Sequence, residues 1–106
     1  MDIVAKNLFA DLPALPSQEH FQTLLETGDC RIERIVSNGQ ASPKDFWYDQ
    51  EQNEWVLLLK GSAALRFEDS GVVDLKAGDH LLIKSHVRHR VEKTSADAIW
   101  LTLCYS

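Results

Sequence analysis

The chain has 106 residues, 44% hydrophobic and 25% charged, with a formal net charge of -5. That is the length of one domain, with an ordinary folded composition. Its acidic balance excludes the basic face of a nucleic-acid binder and gives no attraction to an anionic membrane surface. Leu12–Pro16 (LPALP) reads as extended, since proline disfavours helix in the residue before it. Ser17 then caps an expected helix over 18–27, where Phe21, Leu24 and Leu25 fall on one stripe and Gly28 ends it. Residues 30–37 (CRIERIVS) read as a strand, and Asn38-Gly39 as a turn. Residues 54–60 read as a central strand, apolar on both faces. Alternation over 63–68 and 73–77, with turns at Gly61-Ser62, Asp69-Gly71 and Gly78-Asp79, reads as hairpins. A short strand over 80–84, another from Val91 and a last one over 99–105 complete the pattern. Short strands at such spacing predict a small β-sandwich or barrel behind one helix.

The longest apolar run, Trp55 to Leu59, is far shorter than the ~20 residues of a membrane span. The first residues carry an early acid and no apolar core, so no signal peptide is expected. Cys30 and Cys104 are far apart and have no CxxC spacing, which predicts two reduced thiols and a cytoplasmic setting.

Two spacings carry a resemblance. Glu54, six residues and Gly61 repeat the second half of the pattern G-x5-H-x-H-x3,4-E-x6-G. Gly78 and His89 fit the first glycine and the histidine of G-x5-P-x-G-x2-H-x3-N, and LKAGDH (75–80) fits the turn leading into it. Lys84, His86 and Lys93 stand where that second pattern has its proline, glycine and asparagine. In these features the chain resembles a small single-domain cupin. The resemblance implies an all-β, cupin-type β-barrel (a double-stranded β-helix or jelly roll) with one short N-terminal helix. It also implies an N-terminal extension over 1–38 and a barrel core over 39–106.

A cupin metal site uses two histidines and the glutamate of the first pattern and the histidine of the second. Here the two histidine positions are Tyr48 and Gln50 or, with the other spacing, Trp47 and Asp49. Only Glu54 and His89 remain. Two registers stay open. In one, Tyr48, Gln50, Gln52 and Glu54 share a face with His89. In the other, a bulge turns Asp49 inward and gives Asp49, Glu54, His86 and His89, a set suited to Zn, Fe, Mn or Ni. A metal-free pairing of Glu54 with His89 stands beside both. Glu54 as general base with Tyr48 as acid is a candidate catalytic pair. Trp47 and Tyr48 are candidate substrate-stacking residues, or covers of the open barrel end. Arg88 and Arg90 flank His89 and are expected to point outward toward acids such as Glu92 or Asp49. His20 and His80 read as surface residues, and Cys104 as buried.

The functions implied are a small-molecule-binding cupin, with or without a divalent metal and enzymatic activity, or a metal-free ligand-binding or sensor module. A homodimer formed through sheet edges or the N-terminal extension is the expected assembly. No nucleic-acid or membrane partner is expected.

Overall fold

The computed structural model describes residues 2–14 and 16–106. Leu15, within the stretch expected to be extended, lies outside them. The described residues form eight strands: His20–Thr27 (β1), Cys30–Val36 (β2), Asn53–Lys60 (β3), Ser62–Phe67 (β4), Gly71–Lys76 (β5), His80–Ile83 (β6), His89–Thr94 (β7) and Ile99–Tyr105 (β8). They build a five-stranded sheet, β1-β2-β8-β3-β6, and a three-stranded sheet, β5-β4-β7. All paired strands run antiparallel. The all-β jelly-roll expectation therefore holds. No helix of the described residues is long and apolar enough to cross a membrane.

The helix expected over 18–27 is absent, and β1 stands in its place. The i, i+3, i+4 spacing of Phe21, Leu24 and Leu25 has another cause. The β1–β2 register shifts between Thr23 and Leu25, so one bulged residue breaks the two-residue alternation. Gly28, at φ 54, turns the chain back, and β2 supplies main-chain partners that outweigh local helix preference.

Each sheet turns its alternate residues inward. Val56, Leu58, Leu65, Leu75, Ile83 and Trp100 are buried between the sheets. The two-sided burial expected of β3 is half met. Val56 and Leu58 are buried on the inner face, while Trp55 and Leu57 on the outer face are half-buried. Arg34 of β2 points outward and is still buried, because residues 8–11 fold over it. Its guanidinium donates to the carbonyls of Leu8 (3.0 Å) and Ala10 (2.7 Å). β1 and β2 thus extend the five-stranded sheet, and the family-like core leans directly on them.

Candidate functional site

The site is a cavity of about 210 Å3 between the two sheets. Strand parity decides what enters it. From β3 come Glu54 and Val56, from β8 Trp100 and Thr102, and from β2 Arg31, Glu33 and Ile35. The three-stranded sheet contributes Leu65, His89 and Val91. Tyr48 reaches the cavity because the loop before β3 makes a one-residue bridge to β7. Tyr48 N–H donates to the His89 carbonyl at 2.7 Å, and His89 N–H donates back at 3.2 Å. The same bridge lays the Tyr48 ring against the His89 imidazole, 5.4 Å between centroids. Gln50, two residues on, also lines the cavity.

At the polar end, His89 Nε2 lies 3.8 Å from Glu54 Oε1. That is too long for a direct hydrogen bond. The His89 side chain is buried, and its Nδ1 is 2.9 Å from the Val87 carbonyl. A carbonyl only accepts, so Nδ1 carries the proton and Nε2 presents a lone pair to Glu54 when the ring is neutral. Burial lowers the His89 pKa below the usual imidazole range, opposed in part by that carbonyl. Glu54 is raised above the usual carboxylate range, first by burial and then by the nearby negative charge of Glu33. The Cys104 thiol, 3.9 Å from Glu54 Oε2, opposes this weakly. Burial raises the Tyr48 phenol and the Cys104 thiol alike, so both stay protonated at neutral pH.

Of the two registers, the first describes the geometry: Tyr48, Gln50 and Glu54 meet His89 at the cavity. Gln52 does not join them. Its amide turns away and donates to the Asp29 carbonyl at 2.7 Å. Asp49 and His86 are not brought to Glu54 and His89, a correction to the second register. No bulge turns Asp49 inward; it is exposed and meets His86 Nδ1 at 2.7 Å on the outside. His86 sits in a turn at φ 63, held by its N–H to the Gln50 carbonyl. Trp47 is half-buried outside the cavity, with the Arg88 guanidinium 5.8 Å from its ring. Arg88 pairs with Glu68 at 3.3 Å, and Arg90 approaches Glu92 at 3.9 Å.

The donor set does not fit a transition metal. Such a site takes three or four protein ligands. Here Glu54 and His89 are the two strong ligands that meet at the cavity, and Gln50 and Tyr48 are weak ones. Among the described residues, no group of three or more His, Cys, Asp or Glu could hold a metal ion.

Reading the sequence missed Arg31, Glu33, Glu19 and Thr102 as lining residues. Arg31 and Glu33 alternate with Ile32 and Arg34 in β2, a period-two signal that names a face without saying which face is inner. Arg31 Nε donates to Glu33 at 3.2 Å. Glu19 accepts a hydrogen bond from Ser37 Oγ at 2.5 Å, and Ser37 in turn accepts from Trp100 Nε1 at 3.2 Å. Thr102 Oγ1 is buried and has no hydrogen-bond partner.

The cupin domain family model matches residues 33–104. No curated protein matches the chain. A crystal structure from Ralstonia eutropha JMP134, described as a "putative mannose-6-phosphate isomerase", is 44% identical, with 98% of this chain and 99% of that one covered and a TM-score of 0.93. A cupin superfamily protein from Desulfitobacterium hafniense DCB-2 is 19% identical, covering 89% and 83% of the two chains at a TM-score of 0.75. An RmlC-like cupin from Desulfovibrio desulfuricans is 14% identical, covering 97% of each at 0.76. The last two share the fold alone.

Proposed function

This chain belongs to the cupin domain family, and from that premise we propose that its inter-sheet cavity binds a small hydrogen-bond-donating molecule without a metal, with Glu54 and His89 as an acid–base pair at the polar end. The observation that supports this is the pair of facing acceptors, His89 Nε2 and Glu54 Oε1, 3.8 Å apart. A ligand group placed between them receives or gives up a proton without moving far. The apolar walls, Val56, Leu65, Ile83 and Val91, suit the carbon skeleton of such a molecule. The 44% identical neighbour described as a "putative mannose-6-phosphate isomerase" supports a hydroxylated ligand class. Two free cysteines support a reducing, cytoplasmic setting.

The test is thermal melting of the protein against sugars, polyols and hydroxy acids, and against Zn, Mn, Fe and Ni salts. The expected result is a rise with at least one hydroxylated compound, lost in His89→Gln, and none with the metals. Stoichiometric transition metal in protein purified without chelator, or ligand binding indifferent to His89→Gln, overturns the proposal.

The outer face of the larger sheet carries an apolar row. The strand registers place Leu25, Ile32, Leu103, Trp55 and Leu82 in one row across all five strands of the larger sheet. Leu25 and Leu82 are 52% and 44% exposed. We propose that a second copy covers this row.

A further inference from the structure

From the charges lining the cavity and the acceptors at its polar end, we infer that the ligand is a protonated amine, of the amino-sugar or amino-alcohol class, and that phosphorylated and carboxylated molecules are refused. The inference rests on the cavity being the binding site and adds the class of ligand.

The lining carries three carboxylates, Glu19, Glu33 and Glu54, against one cation, Arg31. Arg31 is already paired with Glu33, and Glu19 already accepts from Ser37. Among the described residues neither Glu54 nor Glu19 is paired with Lys or Arg, and Glu54 is the one that faces His89, in a side chain only 15% exposed. A phosphate entering here meets one guanidinium, already bonded through Nε to Glu33, and stands against a buried carboxylate. A cation meets the partner that buried carboxylate lacks.

Hydrogen-bond counting points the same way. With Nδ1–H committed to Val87, His89 offers only a lone pair at Nε2, and ionised Glu54 offers only acceptors. A ligand hydroxyl has one proton and leaves one of the two facing acceptors unserved. An ammonium has three, enough for Glu54 Oε1, His89 Nε2 and one more acceptor. Thr102 supplies an independent sign of a missing ligand group. It is 2% exposed, it lines the cavity, and its Oγ1 has no partner. Native interiors seldom leave such an atom unserved.

The experiment titrates the intact chain with D-glucosamine, D-glucose and D-glucose 6-phosphate by calorimetry. It is run below the amine's own pKa, with amide NMR shifts locating the contact. The amine is expected to bind at least about tenfold more tightly than the neutral sugar, the scale of one charge-assisted hydrogen bond, and the phosphate more weakly than either. Glu54→Gln is expected to erase the amine's advantage over the neutral sugar. Thr102→Val, an isosteric change, keeps the test available should Glu54→Gln fold poorly, and is expected to weaken the amine. Glucose 6-phosphate binding best, or an amine preference that survives both variants, overturns the inference. A neutral sugar that binds as tightly as the amine through His89 overturns it too, while leaving the cavity proposal standing. Absence of any shift at the cavity residues with all three probes overturns both.

Discussion

Replacing Gly61 with alanine tests whether the turn after β3 is closed by packing or merely permitted by glycine. Gly61 has φ +83, where an L-residue costs about 1 kcal/mol or more. A Cβ there would lie 2.4 Å from Ser95 Oγ, 2.9 Å from Asp97 Oδ1 and 3.0 Å from Ala98 Cα. Ser95 cannot step aside freely. Its Oγ accepts from Ser62 N–H at 3.0 Å and donates to Asp97 at 2.8 Å. Losing either bond costs about 1 kcal/mol. Ala98 is fully buried and presents backbone, so the overpacking adds about 1–2 kcal/mol. The expected total is about 3–4 kcal/mol, or roughly 12–16 °C in melting temperature for a domain of this size. Gly78→Ala is the control, since Gly78 has φ +96 and nothing within 4 Å of an added Cβ. It keeps the strain and omits the collision, so about 1 kcal/mol is expected. Urea unfolding followed by tryptophan fluorescence measures both. If the two variants differ by less than about 1 kcal/mol, the packing account of the Glu54-x6-Gly61 spacing is wrong.

Glu54→Gln is expected to alter the pH profile of stability. The folded carboxyl is raised above 4.5, so the native state holds the extra proton between 4.5 and that raised value, and wild-type stability falls as pH rises through the window. The glutamine variant should lack that fall and gain on wild type at pH 7; parallel profiles from pH 4 to 7 would refute the raised carboxyl. Asp49→Asn should change stability by less than about 0.5 kcal/mol and leave ligand affinity untouched, because the Asp49–His86 pair is exposed and away from the cavity. A tenfold loss of affinity in that variant would return Asp49 to the site. Sedimentation should find a dimer at micromolar concentration that Trp55→Lys or Leu82→Lys dissociates, and a monomeric wild type would remove the proposed pairing.

Much of this fold can be read from residue pattern because strands and turns leave local marks. Gly61, Gly71 and Gly78 all adopt positive φ, and each stands where a turn was expected. The strand over 99–105 matches β8 residue for residue. β1 was illegible for a stated reason: one bulge makes an edge strand imitate helical spacing, and only the partner strand reveals it. The site divides the same way. Glu54 and His89 were visible by motif spacing, and Tyr48 and Gln50 by parity with Glu54. Asp49 was not separable from Gln50 until the Tyr48–His89 backbone bridge fixed which residues face inward. Arg31, Glu33 and Thr102 escaped because their inward direction depends on β2 pairing with β8 and β8 with β3, a fact of topology rather than of sequence neighbourhood.

That topology also gives the Glu54–His89 pair its chemical character. Glu54 stands on the five-stranded sheet and His89 on the three-stranded one, so their separation is set by how the sheets close, not by either strand alone. Burial disfavours charge on both groups, pushing the carboxyl up and the imidazole down. In a four-ligand metal site the ion would hold the carboxylate ionised and keep the imidazole neutral. With Tyr48 and Gln50 at the other two positions, neither supplies a charge there, and Tyr48 stacks on the imidazole it would otherwise have accompanied as a ligand. The two substitutions therefore act as one change. They remove two strong donors and supply an aromatic wall and an amide, which suit an organic molecule better than an ion. A ligand bridging Glu54 to His89 spans both sheets, so its binding energy appears directly as resistance of the barrel to opening. Stability and recognition are measured by the same contact, which is why thermal melting reads out the function of this site.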